Sequence, residues 1–182
     1  MTALIDAARA WVVQHYPYNR THLLRTLEWV ETLAPAASEA VRLAALTHDM
    51  ERAFPGADQP VMVSLLDPDY LKAHSERSAR IVGDWLRDQG AVDALVIDVE
   101  RLVRAHECGG EPDADLVQAA DSLSFLDTNI DLFLGFVRSG RFSIAEVRDK
   151  FNDAYERIRV PRARMLAEPL FADASARLTA LE

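Results

Sequence analysis

The chain has 182 residues, 49% of them apolar and 27% charged, which is the balance of a soluble globular protein with a sizeable core. Its net charge of −9 supplies no basic face for a nucleic-acid polymer or an anionic membrane surface. No run reaches the ~18 apolar residues of a membrane span, and a single cysteine, Cys108, excludes an internal disulfide and fits a reducing compartment.

The helical period dominates along the whole chain, and strand signals are weak. A first helix is expected over residues 2–15, carrying Leu4, Ala8, Trp11 and Val12 inward. Asp6 and the lack of a charged stretch before an apolar one argue against a signal peptide here, so the cytoplasm is the expected location. The segment from Tyr16 to Arg20 breaks this helix, and a second runs from Thr21, a plausible N-cap, to Leu33. Pro35 ends it, and Ser38 can cap a third. There Val41, Ala44, Ala45 and His48 follow helical spacing, so His48 falls on the buried face near the helix end. Residues 54–70 hold Pro55, Gly56, Pro60 and Pro68 and are expected to form a loop with one helical turn from Val61 to Leu66.

A fourth helix is expected from Leu71 to Gln89, with His74, Ser78, Ile81 and Trp85 inward, and Gly90 closes it. Val92, Leu95, Val96, Val99, Leu102 and Val103 give the cleanest amphipathic pattern, and His106 continues that face before Gly109-Gly110. A long helix follows over 113–137 and carries Asp121. The segment 143–182 is helical, with bends expected at Pro161 and Pro169. There is no internal repeat and no linker, so a single all-α domain over 1–182, a helical bundle of about six or seven helices, is expected.

Four of the five histidines and two aspartates share these inward faces, each element on a different helix: His22, the pair His48-Asp49, His74, His106 and Asp121. Buried imidazole and carboxylate are costly unless paired or bound to metal. Facing helices can bring such ligands together from several directions. Neutral imidazole and carboxylate suit Mn, Fe, Co, Ni or Mg better than an ion that prefers thiolate. Any one of His22, His74 or His106 alone is better explained as a hydrogen-bonded core residue; the ordered set is not.

The order His … His-Asp … His … His … Asp on an all-helical chain resembles the HD-domain superfamily of metal-dependent phosphohydrolases. The local contexts Thr21-His22-Leu23-Leu24-Arg25, Ala45-Leu46-Thr47-His48-Asp49, His74-Ser75-Glu76-Arg77-Ser78-Ala79 and Ala120-Asp121-Ser122-Leu123 carry that resemblance over residues 20–130. It implies one divalent ion held by His22, His48, Asp49 and Asp121, and a second held by His74 and His106 with Asp49 shared. It implies hydrolysis of a phosphate ester, in a nucleotide or small phosphorylated metabolite, by a metal-activated water. The glycine-lysine pair of the cyclic-dinucleotide phosphodiesterases is absent: His48-Asp49 is followed by Met50-Glu51-Arg52.

Arg77, Arg52 and Arg25, each three residues beyond a metal-site element, are candidate phosphate contacts, with surface ion pairs as the alternative, for example Arg25 with Glu28. Asp49, Arg77 and Arg52 are thus the expected catalytic groups. Asp127 and Asp131 are expected on a solvated face. The run Arg157, Arg159, Arg162 and Arg164 is expected either on a solvated face or over the site mouth. Phe151, Tyr155, Leu166, Leu170 and Phe171 either close the core or form a homodimer face. Two other functions fit the same residues: a di-iron oxygenase, and a nonenzymatic nucleotide-binding regulatory module.

Overall fold

The computed structural model describes residues 2–181, and side-chain caps start four of the nine α-helices among them. The first helix, α1 (Ala3–His15), starts where the Thr2 hydroxyl accepts from the Ile5 amide. Helix α2 (Arg20–Leu33) starts at Asn19 rather than at the expected Thr21, with no side-chain cap. Ser38 caps α3 (Glu39–Thr47) as its position suggests, accepting from the Val41 amide at 3.3 Å. A 3-10 turn, Met50–Ala53, follows at once. Residues 61–66 form no helix, contrary to the expected helical turn: a bend at Val63 and Ser64 is followed by a turn at Leu65 and Leu66.

Helix α4 (Pro68–Asp88) begins three residues before the expected Leu71. The Asp67 side chain caps it and Pro68 fills the first turn, where its missing N–H costs nothing. Its buried row is His74, Ser78, Val82 and Leu86; Ile81 and Trp85 lie at the edge. Helix α5 (Asp93–Ala105) buries Val96, Val99, Leu102 and Val103.

The C-terminal third departs further from expectation. The helix expected over 113–137 is two, α6 (Pro112–Thr128) and α7 (Ile130–Arg138), separated at Asn129. The Thr128 hydroxyl there bonds back to the Ser124 carbonyl at 2.8 Å, and such residues offer the backbone an alternative to continuing the helix. The segment 143–182 is also two helices. A Ser143/Glu146 capping box starts α8 (Ile144–Glu156), and Pro161 opens α9 (Pro161–Thr179) instead of bending one helix. Pro169 lies inside α9. Nine helices and no strand are therefore found among the described residues, two more helices than the seven expected segments.

Two apolar clusters make the core. One joins α1 to α5 and includes Leu27, Leu43, Val99 and Leu102; the other joins α7, α8 and α9 and includes Leu134, Phe151 and Ala167. Helix α6 is the wall between them. Ala114, Val117 and Ala120 face the first cluster, and Ala119, Leu123 and Leu126 face the second. Every residue from Val117 to Leu126 is buried, so over these turns α6 is a central helix without a solvent face. Phe151, Tyr155, Leu166, Leu170 and Phe171 pack into the second cluster, with Tyr155 and Phe171 stacked at 4.5 Å; they close the core. No helix among the described residues is long and apolar enough to cross a membrane.

Leu123 on α6 is fully buried in the second cluster. Leu123→Ala should lower unfolding free energy by about 2–5 kcal/mol, read as a shifted urea midpoint at unchanged helical content.

Candidate metal centre

The expected ligands are delivered by helix ends and helix faces. His48 and His106 are the C-cap residues of α3 and α5, each in helical conformation. The Nδ1–H of each ring donates to a carbonyl three residues back, Ala45 at 3.0 Å and Val103 at 2.7 Å. Those bonds place a proton on each Nδ1 and turn both Nε2 atoms toward the interior. His22 comes from the first turn of α2 and His74 from the second turn of α4. Asp121 projects from the centre of α6, and Asp49 leads into the 3-10 turn.

The six residues converge. His22 Nε2 lies 3.1 Å from Asp121 Oδ1, His48 Nε2 lies 3.3 Å from the same oxygen, and His74 Nε2 lies 2.8 Å from Asp49 Oδ1. Successive ring centroids from His22 to His48, His48 to His106 and His106 to His74 are 5.3, 4.9 and 5.4 Å apart. Three groups have ligand atoms close enough to hold an ion: His22, His48 and Asp121; His48, Asp49 and His106; His74, His106 and Glu107. They share His48 and His106, so they form one continuous row. His48 Nε2 is buried and makes no hydrogen bond, although a carboxylate oxygen faces it. With Nδ1 committed to a backbone carbonyl, a buried Nε2 that faces a carboxylate oxygen without bonding it is an arrangement that a cation between the two would satisfy, and imidazole and carboxylate are donors a divalent ion takes.

Charge within the row is strongly coupled. Burial works against ionised Asp121, but His48 and Arg157 outweigh it and hold the carboxyl well below the usual range. Burial likewise opposes charge on Asp49, where Arg52 and His74 prevail, and on Glu107, where Arg157 and Lys150 prevail. Burial disfavours protonated His48 too, yet Asp121 pushes its pKa up to about 9. Burial keeps His106 below the ordinary histidine value.

Three residues of the site, Glu107, Glu51 and Lys150, were missed by sequence reasoning, and a fourth, Arg157, was expected only on a solvated face or over the site mouth. Glu107 joins the row beside His106. Glu51 Oε1 accepts from His74 Nδ1 at 3.0 Å and orients that ring. Both had a signal, Glu107 as the neighbour of a ligand candidate and Glu51 three residues after His48. Lys150 had none, and for Arg157 the only signal was its place in a basic run of the C-terminal segment, which did not reveal its partners. Arg157 donates to Asp121 Oδ2 at 2.6 Å, Glu107 Oε2 at 2.5 Å and Ser122 Oγ at 2.8 Å. It is neither on a solvated face nor a free cation at the mouth. Lys150 is 9% exposed and lines the chamber beside the row, and its ion pair with Asp153 is long, at 3.7 Å.

The three candidate phosphate arginines separate. Arg52 lines the inner chamber, 3.7 Å from Asp49. Arg77 does not line it: its guanidinium bonds the Glu51 carbonyl and carboxylate, the Phe54 carbonyl and Asp58, tying the 54–58 loop to α4. Arg25 lies on the surface between Glu28 and Asp127 at 2.8 and 2.6 Å.

A family model described as a domain of unknown function (DUF4202) matches residues 6–145. The chain belongs to that family. The DUF4202 match contains all six expected ligands together with Glu51 and Glu107, whereas Lys150 and Arg157 lie beyond it. No curated protein and no solved structure matches the chain.

Two outcomes follow from this coupling. Arg157→Leu leaves Asp121 and Glu107 buried without their shared cation. In chelator-treated protein it should cost about 3 kcal/mol or more, measured by urea unfolding, and added divalent metal should reduce the loss. Because the folded pKa of His48 is raised to about 9, its stabilising contribution is complete below its ordinary value and is lost as pH rises through 9. The melting temperature of chelator-treated protein should therefore fall between about pH 6.5 and 9. Affinity for a divalent ion, which needs neutral imidazole, should rise over the same interval.

Proposed function

We propose that the chain is an HD-type, metal-dependent phosphohydrolase that cleaves a phosphate ester of a small phosphorylated metabolite or nucleotide. One observation carries this reading: the ordered His/Asp set forms a single buried row, beside a chamber lined by Arg52 and Lys150, whose ion pairs are both long at 3.7 Å. His22, His48 and Asp121 would hold one divalent ion. His74, His106 and Glu107 would hold the other, and Asp49 lies between, in a group with His48 and His106. Such ions supply Lewis acidity and a nucleophilic water near neutral pH.

The protein's own groups do the rest. Glu51 accepts from His74 Nδ1 and keeps Nε2 turned inward, and Arg77 holds Glu51 in place. Arg77 is thus a positioning residue in this reading rather than a phosphate contact. Arg157 is saturated by Asp121, Glu107 and Ser122, so its role is to hold those carboxylates ionised and oriented. Arg52 and Lys150 retain donor capacity toward the chamber and are the groups that would bind phosphate oxygens. Leu65, Met62 and Phe125 supply apolar wall, which limits water around the ester.

Elemental analysis of protein reconstituted with Mn, Fe, Co or Ni should give close to two equivalents, and phosphate release should appear with one of these metals. Asp49→Ala should abolish release with helical content retained, and His106→Ala should lower the stoichiometry toward one. Wild-type turnover by Asp49→Ala would reject the reading. Metal uptake without phosphate release, accompanied by oxygen consumption in the iron form, would replace hydrolysis by oxygenase chemistry.

A further inference from the structure

Outside the metal row lies a second chamber to which the hydrolytic chemistry gives no role. It adjoins the first, and Arg52, Met62, Leu65, Tyr70, Asn129 and Phe133 line both. Its far wall comes from α7 and the turn after it, through Phe136, Arg141 and Phe142. Phe133 stands edge-on to Phe125 and Phe136, with centroids 4.9 and 5.4 Å apart. The Arg141 guanidinium lies over Phe136 and Phe142 at 4.6 and 5.5 Å, which holds that wall rigid.

Among these rings sits one buried amide. Asn129, 6% exposed, occupies the break between α6 and α7. Its side-chain oxygen accepts a long 3.4 Å bond from the Thr128 hydroxyl. Asn129 lines both chambers, and its amide NH2 donates no hydrogen bond among the described residues, so it is open to a ligand there.

We propose that this outer chamber is a recognition subsite for a planar heteroaromatic ring, carried by the substrate on the alcohol side of its ester, with Asn129 reading the ring edge. The phosphate half of this assignment rests on the hydrolytic reading; the ring half does not. A ring face packs on aromatic walls in offset or edge-on geometry, which a flexible sugar or a compact polyol does not exploit. An alkyl chain would fill the apolar space but leave the Asn129 amide desolvated and unpaired, which is penalised. A ring bearing adjacent donor and acceptor atoms satisfies both demands, because Asn presents one of each. Asn129 and Phe133 line both chambers, so one small molecule can reach the inner cations and the outer rings together.

The test uses unphosphorylated probes, which need no hydrolysis. Adenosine, guanosine, cytidine and uridine, with ribose as the control, are titrated by ligand-observed NMR and calorimetry against purified full-length protein, before and after Mn loading. At least one nucleoside should bind and ribose should not. Asn129→Ala should weaken that binding by about fivefold or more. Phe136→Leu, a milder change at a partly exposed site, should weaken it as well, and it decides alone if Asn129→Ala fails to fold. The proposal is overturned if no nucleoside binds either form, if ribose binds equally, or if neither folded variant weakens binding. Nucleoside binding without phosphate release from any ester would keep the subsite and reject the hydrolytic reading. Release from ring-free esters without nucleoside binding would do the reverse.

Discussion

Asp121 is an ionised carboxylate inside the stretch of α6 from Val117 to Leu126 that is buried throughout, and much of the site is arranged around it. An isolated charge in that position would be prohibitively costly. Its two oxygens divide the work: Oδ1 faces His22 and His48, and Oδ2 receives Arg157. The same arginine reaches Glu107, which in turn stands 3.5 Å from His106. One buried anion thus couples α2, α3, α5, α6 and the end of α8. A divalent ion in this row would not have to create order there; it would take over compensation that the histidines and the arginine already share.

Helix α6 explains why the row lies where it does. It separates the two apolar clusters and is covered on both sides, so a polar group placed on it is sealed from water by two cores rather than one. His48 and His106 reach it from the ends of their helices, where unsatisfied carbonyls are available to fix each ring. His74 has no such carbonyl in reach and is oriented by Glu51 instead, which Arg77 then secures. Each ring is steered by its Nδ1 wherever that atom has a partner. The inward Nε2 atoms are what the row has in common.

The break at Asn129 serves the outer half of the cavity. A continuous helix over 113–137 would carry α7 onward from α6 in one direction. The Thr128 back-bond and Asn129 end α6 and allow α7 to place Phe133 and Phe136 along the cleft. The C-terminal helices then close the second cluster and deliver Lys150 and Arg157 from beyond the DUF4202 match. The inner cation set accordingly depends on a region that the family model does not cover.

The all-α class, the first five helices to within a few residues, and the six-residue His/Asp set were legible in the amino-acid sequence. These depend on local rules: apolar periodicity, caps such as Ser38, and residue chemistry that is unfavourable on a buried face without a partner. Spacing also placed His22, His48, His74 and His106 on inward faces, because 3.6-residue periodicity is decided within one helix. What the sequence could not specify was which cations answer which carboxylates. Arg77 and Arg25 had the right spacing, yet they bond Glu51, Asp58, Glu28 and Asp127. Arg157, 36 residues from Asp121 and 50 from Glu107, performs the pairing. Spacing along one helix defines a face, whereas a long flexible side chain finds its partner only after helices distant in sequence have packed. The histidine row was therefore inherent in the sequence, and its arginine, its lysine and its aromatic chamber were decided by tertiary packing.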